Sequence, residues 1–426
     1  MVSGSALEIY VIVLLCITLR CNYVETLPST FLQDEQQQAE QQAEAISERF
    51  YDEVRQLLEQ KISSEAAAVA AELETTTTES PAPIANADER YIETTVSQTA
   101  DEKVQGNYPT IKPPKPTQVT DWPKLDLRLG QVVAVSIGLD GHPVIFHRAD
   151  RIWTDETFNE TNHYQLTHIG PIDVDTILKL DAANGKVLNS WGASLFFFPH
   201  GMTIDHHGNI WVTDVALHQV FKFKPKSRYP SITIGRRFQP GSIPSQLCKP
   251  TAVAVATTGE IFVADGYCNN RILKFNAAGR ILRVIPQPPE FLSLQVPHGL
   301  TLLEHLDLVC IADRENMRVV CPRAGLKTSL DEGTPAATIQ EPDLGRVFDV
   351  AAYGNFVYAI NGPTSQIIPV RGFTIDPMTE QIIDHWGGFE NPHTIAICPN
   401  GSAMYIGEIG PNRLTKFTLQ DVSSPK

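Results

Sequence analysis

From Trp122 onward the apolar residues gather in runs of four to six, rich in Val, Ile and Phe, with Gly, Asn and Asp between them. Runs this short, bounded by turn-forming residues, predict β-strands rather than helices. One unit recurs: an apolar strand, a polar turn and a second apolar strand. It reads VIFHRADRIW from Val144, IWVTDVALHQVFKF from Ile210 and IFVADGYCNNRILKF from Ile261. It returns as LVCIADRENMRVVC from Leu308, VYAINGPTSQIIPV from Val357 and MYIGEIGPNRLTKF from Met404. Most copies lie about 45–50 residues apart, the period of a propeller blade. The first interval is longer and carries the region of Asn159 as an insert. A pair of β-sandwiches would not repeat one turn signature. Residues 118–420 therefore read as an all-β domain, a six-bladed β-propeller.

Upstream the pattern changes. Within Gln33–Glu74, Ile46, Phe50, Val54, Leu57, Leu58 and Ile62 recur at helical spacing and predict one amphipathic helix. From Thr75 to about Thr117 the chain is rich in Ser, Thr, Pro, Asn and Asp, the texture of a linker. Residues 27–117 thus form a pro-like helical and low-complexity segment, and residues 421–426 a short tail. Ile9 to Leu19 is an apolar run too short to span a bilayer as a stable helix. It reads as part of a secretory signal peptide over residues 1–26, with a signal anchor as the rival reading. No later stretch is long and apolar enough to span a membrane.

Charge narrows the partners. The formal net charge is −15, and residues 27–117 alone hold 17 acidic and 7 basic side chains. Nothing here would offset phosphate charge, which argues against nucleic acid. The propeller itself is only mildly acidic and gives no membrane-surface argument. Cys16 and Cys21 leave with the signal, so Cys248, Cys268, Cys310, Cys321 and Cys398 remain. An oxidising compartment would make two bridges and one spare thiol of these. Two sequons, at Asn159 and Asn400, fit the same secretory route. The sequence is silent on oligomeric state.

Chemistry enters with histidine. Three blade openings carry the same dipeptide: Pro199-His200 in FPHGMTID, Pro297-His298 in VPHGLTLL and Pro392-His393 in NPHTIAIC. The openings between them, KPTAVAV at Lys249 and RVFDVAAY at Arg346, have none. Matched positions on alternate blades of a six-fold ring stand a third of a turn apart, so three imidazoles can converge in the central channel. Three neutral nitrogens with a vacant position suit a catalytic zinc. Any one histidine alone would be read as ordinary strand capping, as are the nine others, among them His147 and the His206-His207 pair.

The hairpin turns face one end of such a ring. Three copies place Asp after the strand, at Asp214, Asp265 and Asp313, while the first has Arg148 in that slot; Tyr267 and Arg314 follow in the third and fourth. The aspartates read as turn-closing groups. Arg148 and Arg314 could pair with them, or bind a substrate carboxylate bidentately beside a metal. A tyrosine there could ionise below its usual pKa of about 10 and act as a base. Cys310 and Cys321 sit symmetrically about the Arg314–Asn316 turn and can face each other across it. Cys248 opens the blade in which Cys268 follows Tyr267, and a bridge between them would pin that loop. Cys398 has no obvious partner.

On the strings GQVVAVSI, VIFHRAD, GPIDVDTIL, FPHGMTID, WVTDVALHQVFKF, CKPTAVAV, VADGYCNNRI, VPHGL and ADREN, the chain resembles the peptidyl-α-hydroxyglycine α-amidating lyase family over nearly all of residues 118–420. The resemblance implies a six-bladed propeller of NHL-like repeats that splits a peptidyl-α-hydroxyglycine into a peptide amide and glyoxylate, the second step of peptide amidation. It implies zinc on His200, His298 and His393, a catalytic Tyr267, and site arginines Arg148 and Arg314. It also implies disulfides Cys248–Cys268 and Cys310–Cys321, and a channel calcium held partly by the backbone carbonyls of Val135 and Met202. In many animals of this family the lyase follows a copper monooxygenase on one chain. Here the first histidine is His142, so the upstream segment cannot house that copper chemistry, and the expectation is a stand-alone lyase.

The chain departs from the family at one position above all. Thr394 stands where the family has an aspartate that reaches calcium, and a neutral hydroxyl is a much poorer ligand for a hard cation. That counts against calcium here. Asn391 replaces a methionine nearby, and the last hairpin has Glu408 where the family has Asp. Thr394 also sustains a competing expectation: a secreted, non-catalytic NHL-like propeller that binds peptides, with zinc as a structural pin. A propeller lactonase is a further alternative, but such sites favour carboxylate and Asn ligands.

Overall fold

The computed structural model describes residues 112–123, 129–287 and 292–420. The expected signal peptide, amphipathic helix, linker up to residue 111 and tail from residue 421 lie outside the described residues. Within them, strands form six antiparallel four-stranded sheets, each a blade. The innermost strands, in blade order, are Val132–Ile137, Pro199–Ile204, Ala252–Val255, Pro297–Leu303, Val347–Tyr353 and Pro392–Ile397. In the first five blades the next three strands follow outward in chain order. Blade 6 is completed from the other end of the domain: Lys115–Gln118 pairs outside Leu414–Gln420, with Lys115 opposite Gln420 and Gln118 opposite Phe417. The ring thus begins at Lys115, inside the stretch whose Pro- and Thr-rich composition reads as linker. An outermost strand has little to bury, and KPTQ buries only Pro116.

The alternation of side chains along each strand explains why both faces are apolar. In the second strand of blade 3, Ile261 and Val263 join the core shared with blade 2, while Phe262 and Ala264 join the core shared with blade 4. A strand whose successive residues point to opposite faces must be apolar throughout when both faces are covered. Each of the six blade interfaces has its own cluster of this kind. Cys398 is a buried free thiol in the cluster between blades 6 and 1. Among the described residues no helix is long and apolar enough to cross a membrane.

The innermost strands leave one edge unpaired toward the channel, and side chains tie these edges around the ring. Ile204 N–H donates to Ser136 Oγ at 2.9 Å, and Thr203 Oγ1 donates to Val253 O at 2.6 Å. Thr251 Oγ1 donates to Pro297 O at 2.7 Å, and Ala352 N–H donates to Thr301 Oγ1 at 3.0 Å. Ile395 N–H donates to Asp349 Oδ2 at 2.9 Å, and Val135 N–H donates to Thr394 Oγ1 at 3.1 Å. Every blade is thereby fastened to the next. Five of the ties use a hydroxyl and one a carboxylate.

Candidate functional site

His200, His298 and His393 each follow the proline that opens the innermost strand of blades 2, 4 and 6. The three rings meet on the channel axis, with centroids 4.7–4.8 Å apart. One nitrogen of each lies within 4.8 Å of the other two, and all three residues are buried. The following blade orients each ring. His200 Nδ1 donates to Thr251 O at 2.8 Å, His298 Nδ1 to Phe348 O at 2.6 Å and His393 Nδ1 to Val133 O at 2.8 Å. A carbonyl can only accept, so the proton sits on Nδ1 and the lone pair of Nε2 is left for a metal. Burial, then the proximity of the other imidazoles and arginines, hold His200 and His298 well below the usual histidine range. Burial and Arg148 push His393 down to about 3. All three are therefore neutral at physiological pH, the state a ligand needs.

Tyr267 Oη lies 3.0 Å from His200 Nε2 and 3.2 Å from His298 Nε2, so the phenol faces the space enclosed by the three nitrogens. The Cys248–Cys268 bridge anchors its loop, and Cys310–Cys321 links the two middle strands of blade 4. Replacing Cys248 and Cys268 by serine is expected to lower the unfolding free energy by about 2–4 kcal/mol, read by chemical denaturation. Arg314 lies with its guanidinium carbon 5.2 Å from the rings of both Tyr267 and Phe348, and its Nε donates to Glu315 at 2.9 Å. Arg148 is buried over the Phe198 ring at 4.6 Å. It donates through Nε to Pro199 O at 2.8 Å and through Nη1 to Gln131 Oε1 at 3.0 Å, while Nη2 has no hydrogen-bond partner among the described residues. Burial lowers its pKa to about 10, with Tyr267 and Asp214 opposing that shift. It still carries its charge.

Of the two readings of these arginines, pairing with the hairpin aspartates is not the one found. Asp265 is bridged by Arg271 and Asp313 by Arg318, each directly opposite across its own hairpin. Asp214 accepts the N–H groups of Phe197, Phe198, Ala216 and Leu217. The aspartates do close turns, as expected, and Glu408 does the same for Glu390 and Asn391. Register shifts one slot as well. His147, opposite Val132, occupies the aspartate position in blade 1, and its Nδ1 accepts the N–H groups of Gly130 and Ala149. Arg148 therefore matches Arg314, which follows Asp313, rather than Asp313 itself.

Two parts of the site escaped the sequence reading. Trp153, Phe158 and Tyr164, from the insert, pack with Phe197 and Phe198 into an aromatic wall, and Trp153 meets Tyr267 at 4.9 Å. The FFF run before Pro199 was its sequence signal. The second is Asp349, in the histidine-free opening RVFDVAAY. With Thr394, Val135 and Met202 it lines a channel cavity of about 500 Å³ that the three histidines also line. Burial raises its carboxyl to about 7. Asn159 and Asn400 are both exposed.

Fold and site together define an NHL-type six-bladed propeller with a three-histidine cluster suited to a metal ion; the NHL repeat family matches residues 247–275. The chain is 56% identical to "Peptidyl-alpha-hydroxyglycine alpha-amidating lyase 2" of Drosophila melanogaster, across 87% of this chain and 88% of that one. It is 39% identical to "Probable peptidyl-alpha-hydroxyglycine alpha-amidating lyase pgal-1" of Caenorhabditis elegans, across 68% of this chain and 83% of that one. It is 41% identical to "Peptidylglycine alpha-amidating monooxygenase" of Rattus norvegicus, across 71% of this chain and 32% of that longer one. The chain belongs to the peptidyl-α-hydroxyglycine α-amidating lyase family and is a lyase.

Proposed function

We propose that this protein cleaves peptidyl-α-hydroxyglycines to a C-terminal peptide amide and glyoxylate in the lumen of the secretory pathway, using zinc held by His200, His298 and His393. The observation that carries this reading is the convergence of three buried Nε2 atoms on the hydroxyl of Tyr267. The donor set fits zinc: three neutral imidazoles, each oriented by a backbone carbonyl. Zinc bound there supplies a Lewis acid that lowers the pKa of the substrate's α-hydroxyl. Tyr267 removes the hydroxyl proton. The O–H electron pair forms the aldehyde C=O of glyoxylate, the C–N bond breaks, and the departing amide nitrogen takes up the proton that Tyr267 removed.

The two arginines divide the remaining work. Among the described residues Arg148 makes no ion pair with a carboxylate and its buried Nη2 has no hydrogen-bond partner, so it clamps the substrate carboxylate. Arg314, with Nε already bound to Glu315, braces the ring of Tyr267 and positions it. The aromatic wall beside Tyr267 excludes water from the reacting bond. Two disulfides and the exposed sequons support a secretory location. Residues 1–26 act as the signal peptide and the stretch from residue 27 to the strand at Lys115 as a pro-like segment on this reading. Incubation of the full-length protein with a synthetic α-hydroxyglycine peptide should release glyoxylate, and a chelator should stop it. Peptide binding without glyoxylate release would overturn the reading in favour of a non-catalytic propeller.

A further inference from the structure

Each blade opening carries one residue at the mouth of the ring, just before the proline or valine that leads into the innermost strand: Gln131, Phe198, Lys249, Val296, Arg346 and Asn391. Phe198 and Val296 are apolar, Gln131 accepts from Arg148, and Arg346 is bridged by Glu315 at 3.0 Å. Lys249 differs from these. It is only 9% exposed, with Nζ 4.8 Å from the Phe158 ring and 5.7 Å from the Trp153 ring. Among the described residues this ammonium has neither a carboxylate partner nor a hydrogen-bond acceptor, and Nζ itself is not enclosed. Aromatic faces attract an ammonium but leave its three N–H groups without an oxygen to donate to. Burial lowers its pKa to about 8, so the group is mostly charged at neutral pH.

The active site fixes where this charge sits. Lys249 follows Cys248 and Tyr267 precedes Cys268, and the bridge between those cysteines holds their Cα atoms 5.5 Å apart. Both residues touch the same indole, for the Tyr267 and Trp153 ring centroids are 4.9 Å apart. The Arg148 guanidinium borders that indole as well, at 5.9 Å. The main chain of Lys249, at a left-handed φ of 55°, is held by a bond from its N–H to Nδ1 of buried His218 at 3.0 Å. An apolar side chain would pack against Trp153 and Phe158 equally well, so packing alone does not account for a cation here.

We infer that Lys249 reads the residue that becomes the C-terminal amide and selects peptides with a carboxylate side chain there. This rests on the lyase reading and names the substrates it favours. With the α-hydroxyl at Tyr267 and the hydroxyglycine carboxylate on Arg148, the preceding residue lies over Trp153. A Glu side chain at that residue supplies the acceptor oxygens that the ammonium lacks, in a charge-assisted bond. Two synthetic α-hydroxyglycine peptides that differ only in Glu or Gln before the hydroxyglycine compare charge at constant shape. The full-length protein should cleave the Glu peptide with a kcat/KM about tenfold higher, the difference lying mainly in KM. Lys249→Met should bring the ratio close to one, and Lys249→Glu should put the Gln peptide ahead. Each ratio is taken within one protein, so a general loss of activity cancels. A wild-type ratio of one, or a preference for Glu that survives either substitution, would overturn the inference. Calorimetric binding of the same peptides separates it from the lyase reading. Tighter binding of the Glu peptide that depends on Lys249, without glyoxylate release, would leave the inference standing while the lyase reading fell; equal glyoxylate release from both peptides would do the reverse.

Discussion

Tyr267→Phe is expected to reduce kcat by about 10²–10⁴-fold, the usual contribution of a positioned general base, while zinc content stays at the wild-type level. The separation follows from geometry. The phenol touches the metal-facing nitrogens of His200 and His298, yet the three imidazoles owe their orientation to Thr251, Phe348 and Val133. Removing the hydroxyl leaves those carbonyl contacts and the Trp153 packing in place. Stopped assays of glyoxylate with elemental analysis of the same preparation decide the matter. Undiminished turnover in the variant would remove Tyr267 as the base.

His298→Ala should lose metal and activity together. Deleting even an indirect hydrogen-bond partner of a ligand typically costs 10–100-fold in metal affinity, and here a ligand itself is lost. Its ring also meets both other imidazoles and Phe348, so the cavity left behind loosens the remaining pair. Circular dichroism should still report a β-propeller, because the blade cores do not include His298. A variant that keeps full zinc content would show that the three histidines are not the ligands.

The ring and its three-histidine cluster were legible because both are periodic. Six copies of one hairpin count the blades, and a Pro-His dipeptide on alternate openings places three side chains on one axis. What the sequence concealed was contact between neighbours that no period marks. Asp349 looks like a polar lapse in an apolar strand until Ile395, 46 residues away, is seen donating to it. His147 passes for an ordinary histidine because imidazole and carboxylate look unrelated, yet both accept turn N–H groups. The partners of the hairpin aspartates were hidden for a related reason: the residue across the hairpin meets the aspartate. Arg271 and Arg318 hold those opposite places.

Because each imidazole is steered by the blade that follows it, with blade 1 steering the last, the trio depends directly on three of the six seams and on the closure of the circle. A chain stalled at four or five blades could present correct local strands and still be unable to load an ion. On the zinc reading proposed above, ion loading requires the closed circle, which the strand at Lys115 completes.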